Sequence, residues 1–253
     1  MTVKEYFERL EKRIPRSLCE PWDNDGLMCC ADESAEVRRA LVTLDVTEEI
    51  VDFAIENGYD LIVSHHPLIF RPVSSMTEDH HVSRKLIKLL ASGISVFSFH
   101  TRADKVEGGV NDCLADLIGL SDATPFGEGG LGRIGTLEEE MSIEDFAYRL
   151  KEQLNAHGLL YADGYSPVHR VAVVGGAGKE ELAAAMEAGA DTLVSGRIGY
   201  HEMQEASEMG INLVEAGHYF TEYPVTSFFA GELSKISPDL PIAITDSYKL
   251  KLI

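Results

Sequence analysis

The chain has 253 residues, 45% of them apolar and 25% charged, and carries a formal net charge of -20. This is the profile of a soluble globular protein, and no run approaches the roughly 18 apolar residues that a membrane span needs. The negative balance argues against binding along duplex nucleic acid, where Lys and Arg must displace counterions; an anionic substrate would need a local cation such as a metal.

The N-terminal stretch MTVKEYFERLEKRIP reads as an amphipathic helix opened by a capping box of Thr2 and Glu5. It is too charged for a signal peptide, so the cytoplasm is the expected location. Cys19, Cys29, Cys30 and Cys113 form no C-x-x-C pair and read as reduced, structural thiols. Strand-like runs follow at Arg38–Asp45, Asp60–Ser64 and Ile94–Phe99. They are separated by helical stretches that begin after Thr47 and near Asp79 and end at Gly58 and Gly93. This β-α-β rhythm predicts an α/β fold with a mostly parallel sheet.

The Gly-rich segment Ser121–Gly135 reads as an interlobe loop, and Ser142 with Asp145 opens a separate helix after it. GGAGKEEL (Gly175–Leu182) lacks the spacing and the Ser/Thr of a phosphate loop and reads as a tight strand-to-helix turn. The second half also repeats the first. AIENGYDLIVS (Ala54–Ser64) aligns without a gap on AMEAGADTLVS (Ala185–Ser195), and the same offset carries Leu41–Leu44 onto Ala172–Gly175. SGISVFSFH (Ser92–His100) resembles MGINLVEAGH (Met209–His218) with one residue inserted. The expectation is two similar α/β lobes from an internal duplication, residues 1–120 and 121–253, with a site at their junction.

The stretch LIVSHHPLIF (Leu61–Phe70) ends an apolar strand on two histidines. On a regular strand His65 and His66 would point to opposite faces. Pro67 ends the ladder and forces the preceding residue into an extended or turn conformation, so both rings can sit at a strand tip. The repeat adds His100-x-x-x-Asp104 and His218-x-x-x-Glu222, each a histidine followed four residues later by a carboxylate, just past a buried strand. Strand ends at a switch point are where α/β folds build sites. His65, His66, His100, Asp104, His218 and Glu222 form a mixed imidazole and carboxylate set suited to Zn, Fe or Mn. The set is larger than one four-coordinate ion uses, and two metals sharing a carboxylate fit it. His80 and His81 lie on a polar segment and read as solvated; His157, His169 and His201 read as structural or surface residues.

WDNDGL (Trp22–Leu27), SHHPLIF (Ser64–Phe70), HTRADKVEGGVND (His100–Asp112) and GHYFTE (Gly217–Glu222), in this order, resemble the NIF-three family, also known as GTP cyclohydrolase I type 2 homologues. The resemblance covers essentially the whole chain. It implies a dinuclear metal site on His65, His66, Asp104, His218 and Glu222, with Glu222 as the bridge and His100 near the metals. It also implies the short bacterial form and a homohexameric ring. Asp25 stands where the family motif has a small or apolar residue; the ligands are expected to be unaffected and the nearby surface altered. The activity implied is hydrolysis of the purine ring of GTP, a small nucleotide substrate, with His100 as the catalytic proton carrier. Hydrolysis of a phosphoester or an amide by the same centre is the alternative. A non-enzymatic metal-binding scaffold or adaptor is a third reading.

Overall fold

The computed structural model describes residues 1–251. In chain order the elements are α1 (Val3–Arg13), β1 (Gly26–Cys29), β2 (Ala40–Thr43), α2 (Glu48–Glu56), β3 (Leu61–Ser64), α3 (His81–Ala91), β4 (Ser95–Ser98), α4 (Thr101–Lys105), α5 (Val110–Ile118), β5 (Ser121–Phe126), β6 (Gly132–Met141), α6 (Ile143–Gln153), β7 (Leu160–Ala162), β8 (Val168–Ala177), α7 (Leu182–Glu187), β9 (Thr192–Arg197), α8 (Tyr200–Met209), β10 (Asn212–Glu215), α9 (His218–Glu222), α10 (Val225–Ile236) and β11 (Ile242–Ile244). Among the described residues no helix is long and apolar enough to cross a membrane.

Two compact units divide these elements. The first is Met1–Val106 with Val225–Lys249. Its sheet has the order β1-β4-β3-β2-β11, parallel throughout except for β1 on β4. Side chains alternate across the strands. Leu41, Ile62 and Val96 face α2 and α3, where Ile50, Val51, Ala54, Leu86 and Leu89 complete a core. Phe97 and Phe99 face the opposite way, against Phe7 on α1 and Phe229 on α10, at ring-centroid distances of 5.2 Å and 6.0 Å for Phe7–Phe97 and Phe99–Phe229. Burial on both faces explains why these strands read as continuous apolar runs. The caps are those expected: Thr2 and Glu5 form the reciprocal box that opens α1, and the Thr47 hydroxyl accepts the Ile50 N–H at the start of α2.

The sheet of the second unit lies within Glu107–Pro224 and has the order β5-β6-β8-β9-β10-β7. Its centre β8-β9-β10 is parallel, and its flanking pairs are antiparallel. Val171, Val173, Val194 and Val214 pack with Leu114 and Ile118 of α5 and Phe146 and Leu150 of α6. Ala172, Val174, Leu193 and Leu213 pack with Leu182 and Ala185 of α7 and Ala206 of α8.

The expected division at residues 120 and 121 differs from these units in two places. Residues 107–120 belong to the second unit because α5 buries Leu114 and Ile118 on its sheet. Residues 225–249 return to the first because β11 extends the parallel sheet beside β2 and α10 covers Phe99. The Ser121–Gly135 segment is not a loop between lobes. β5 and the start of β6 form an antiparallel hairpin at the edge of the second sheet, and Gly127, Gly129 and Gly130, all at positive φ, make its reversal. The glycines are turn residues with left-handed backbone; the helix expected after them is α6, packed on the same sheet and not separate from it.

The repeat is visible in the strand register. Ala40 pairs Leu61 in the first sheet, and Val171 pairs Thr192 in the second. Both residues of the second pair lie at the offset that aligns the two sequences. The Leu61–Ser95 pair likewise matches Thr192–Asn212, and the one-residue insertion falls after the strands.

Candidate metal centre

In the first unit three histidines stand at the ends of two neighbouring strands. His65 follows β3 and is fully buried. Its Nδ1 lies 3.0 Å from the Phe99 carbonyl oxygen. A carbonyl can only accept, so Nδ1 carries a hydrogen, and the nitrogen left to offer a lone pair to a metal is Nε2. That Nε2 lies 3.6 Å from Oδ1 of Asp104, which α4 brings round after β4. His66 places its Nδ1 2.7 Å from Asp45 Oδ1, and the other Asp45 oxygen accepts the Ser247 hydroxyl at 3.1 Å. His100, after β4, places its Nδ1 2.9 Å from Asp23 Oδ1. One ring nitrogen from each of His65, His66 and His100 lies within 4.8 Å of the others.

The turn that follows β3 is held by its neighbours. The Ser64 hydroxyl donates to the His66 carbonyl at 3.0 Å and meets Ser98 Oγ at 2.9 Å, while the His66 N–H donates to the Leu44 carbonyl at 3.0 Å. The strand-tip placement expected for both histidines is therefore found, with Pro67 ending the ladder.

The carboxylates behind the histidines were not singled out by sequence reasoning. Asp23 accepts from the Thr101 N–H at 3.1 Å and the Thr101 hydroxyl at 2.7 Å as well as facing His100. Burial alone would raise its pKa, but the hydrogen bonds from His100 and Thr101 outweigh burial and hold it well below the ordinary carboxylate range. Burial would likewise depress His100; the bond to Asp23 and the charges of Asp104 and Asp23 outweigh it, so His100 holds its proton more firmly than a free imidazole. The visible signal for Asp23 was its place in WDNDGL, and for Asp45 its position ending the first strand-like run.

Asp25 corrects one expectation. It is not a surface residue but a buried one. One oxygen accepts the Arg102 Nε–H at 3.0 Å and the His100 backbone N–H at 3.1 Å, and the other accepts from Arg16 at 2.7 Å. Cys19, Asp23 and Asp25 also converge, yet these carboxylates are already engaged by Arg102, Arg16 and Thr101. Burial, then the charge of Asp25, pushes the Cys19 thiol up to about 11. The cluster is an ion-pair and hydrogen-bond network that supports His100.

In the second unit α9 carries His218 and Glu222 one helical turn apart, with Nε2 and Oε2 separated by 3.1 Å. Glycines make the room for them. A Cβ at Gly176, whose φ is +66°, would lie 2.1 Å from Glu222 Oε1 and 3.3 Å from His218 Cε1; one at Gly196 would lie 2.8 Å from the His218 Cα. The Gly176 N–H donates to the Thr221 hydroxyl at 3.1 Å, tying the end of β8 to α9. GGAGKEEL thus forms the expected strand-to-helix turn, and its second glycine cradles a carboxylate. Imidazoles anchored through Nδ1 and a carboxylate held in a glycine cradle are the donor chemistry that a borderline divalent cation requires.

The remaining histidines stand apart from these sets. His80 and His81 stack on each other at 4.7 Å in an exposed segment. His157 packs on Phe220 and His201 on Tyr200, and the His169 N–H donates to Asp191.

The chain as a whole is similar to known proteins. The chain is 32% identical over 267 residues to the GTP cyclohydrolase 1 type 2 homolog of Clostridium acetobutylicum, covering 99% of each chain. It is 35% identical over 232 residues to the protein of that name from Clostridium perfringens, covering 89% of this chain and 88% of the other. Among solved structures, Staphylococcus aureus protein SA1388 matches with a TM-score of 0.90 at 26% identity, over 100% of this chain and 99% of that one. Reduced HcgD from Methanocaldococcus jannaschii matches with a TM-score of 0.83 at 29% identity, over 98% of both. The profile of the Duf34/NIF3 (NGG1p interacting factor 3) family matches residues 1–249, and with the fold, the motifs and these relatives in agreement, the chain belongs to that family.

Proposed function

We propose that this protein is a dinuclear metal-dependent hydrolase that opens the purine ring of GTP. Its ligands in this reading are His65, His66, Asp104, His218 and Glu222, with Glu222 shared between the ions. The observation that carries the reading is the orientation of the histidines: His65, His66 and His100 each set Nδ1 against an oxygen acceptor, which fixes the ring and the direction of Nε2. Metal-ligating histidines are oriented in this way. The two sets of donors are joined here by the family resemblance and by donor chemistry. Imidazole with carboxylate suits Zn, Fe or Mn, and the relatives' name supplies the substrate.

Bound ions of this kind supply Lewis acidity and bring the pKa of water toward neutrality. The chain's own residues do the rest. Asp23 fixes the His100 ring, so that Nε2 can take a proton from an attacking water and return it to the departing nitrogen, once as the ring opens to a formamide and again as a second water cleaves that formamide to release formate. Asp45 fixes the His66 ring in the same manner. The self-association belonging to this reading is the homohexameric ring.

The test is release of formate from GTP by protein loaded in turn with Zn, Fe and Mn, beside metal analysis. The expected result is two ions per chain and formate with at least one metal, reduced about a hundredfold or more in His100→Gln. Absence of formate with all three metals would sink the reading, and turnover of a phosphodiester or a peptide without formate would replace it.

A further inference from the structure

We infer that Trp22 and Phe70 form a stacking wall that receives a flat heteroaromatic ring beside the histidines of the first unit, and so set which substrates this site accepts. Trp22 is 65% exposed and Phe70 48% exposed. Large aromatic rings left in water forgo the burial that otherwise stabilises them. Both stand at His100. The ring centroids are 6.4 Å apart for Trp22–Phe70, 6.4 Å for Trp22–His100 and 6.1 Å for Phe70–His100, at interplanar angles of 76°, 78° and 88°. Three rings set nearly at right angles make a corner, and the face of either exposed ring can take another ring in an offset stack.

The corner is held before any ligand arrives. Asn24, two residues after Trp22, donates its side-chain amide to the carbonyl of Ile69, the residue before Phe70. Asp23, beside Trp22, is fixed by Thr101 and His100. Pro21 precedes Trp22, and Pro67 and Pro72 flank the segment of Phe70, limiting the backbone on both sides. A flat ring stacked here would turn an edge toward His100. Trp22, Asp23 and Asn24 belong to WDNDGL, and Pro67, Ile69 and Phe70 to SHHPLIF, so the aromatic positions are built into the same loops that orient the histidines.

The inference rests on the hydrolase reading for its choice of guanine probe, and the two can fail separately. Trp22 is the only tryptophan in the chain, so its fluorescence reports the wall directly. Metal-loaded protein is titrated with guanosine, GTP and inorganic tripolyphosphate, correcting for absorption by the nucleotides. The expected result is saturable quenching by guanosine and GTP and none by tripolyphosphate. Phe70→Ala should weaken guanosine binding about tenfold, the scale of one lost base stack, with metal content unchanged, and Phe70→Tyr should restore it. No saturable quenching by guanosine or GTP, equal quenching by tripolyphosphate, or unchanged affinity in Phe70→Ala would each overturn the inference. Quenching without formate release would leave the wall standing and remove the hydrolase reading.

Discussion

Each histidine of the first unit commits one nitrogen to the protein, and that commitment yields the sharpest predictions at the residue scale. If His65 and His66 each hold a different metal, as proposed, His65→Ala and His66→Ala should each remove about one metal per chain and leave the circular dichroism unchanged, because both side chains sit at a strand tip. Unfolding of both variants would return them to a structural role. In the proposed dinuclear centre, Glu222→Ala should empty both sites, since a shared carboxylate would offset the repulsion between two cations, whereas Asp104→Ala should empty mainly one; metal content after dialysis against limited free metal distinguishes them. Asp23 gives a pH prediction. Its folded pKa is depressed, so its stabilisation is complete above the ordinary carboxylate range near roughly 4 and is lost as pH falls through and below it. His100 is shifted upward, so its share is complete below about 6.5 and is lost as pH rises through the raised value. Asp23→Asn should therefore lose about 1–3 kcal/mol at mildly acidic pH and flatten the acid limb of stability, as read by urea unfolding across pH. The histidines and the two His-x-x-x-acid units were legible in the sequence because their types and spacing carry the chemistry. Their acceptors were not, because the Phe99 carbonyl and Asp23 reach the rings only through tertiary structure, and Asp25 looked like a surface variation until its burial against Arg102 was seen.

At the scale of elements, the two parallel strand sets were legible because burial on both faces leaves an unbroken apolar run, and the shared register of β2/β3 and β8/β9 shows the alignment to be structural. The β5–β6 hairpin was misread for a definite reason. Its strand β5 is exposed along most of its length, so it carries no apolar signal, and its turn glycines resemble those of a linker. One buried side chain joins several elements. Arg102 on α4 is fully buried and donates to Glu11 Oε1 at 3.0 Å, to the Ile14 carbonyl at 2.9 Å and to Asp25 Oδ2 at 3.0 Å, with its guanidinium 4.8 Å from the centre of the Phe99 ring. Removing one partner of a buried pair leaves the other charge uncompensated. Arg102→Met should cost about 3–5 kcal/mol of stability, measured by chemical denaturation; a change below about 1 kcal/mol would show that α1 and β1 hold α4 without it.

For the molecule as a whole, charge and assembly oppose each other. Subunits that each carry -20 repel, so the proposed ring depends on apolar contact and should strengthen as salt screens the charges. Sedimentation at low and moderate salt, with and without chelator, should show an oligomer that survives metal removal. A monomer under every condition would discard the ring.

The return of residues 225–249 to the first unit also sets an order of events during synthesis. The sheet of the second unit is encoded without interruption, so it can close as soon as β10 has left the ribosome. The first unit is emitted earlier yet must wait, with Phe99 uncovered and the outer edge of β2 unpaired, until α10 and β11 follow it. Nascent chains stalled so that residues up to about 224 have emerged from the ribosome should accordingly show protease protection over 107–224 before 1–106, an inversion in which the part made first is finished last. Early protection of 1–106 in such chains would mean that its four contiguous strands suffice.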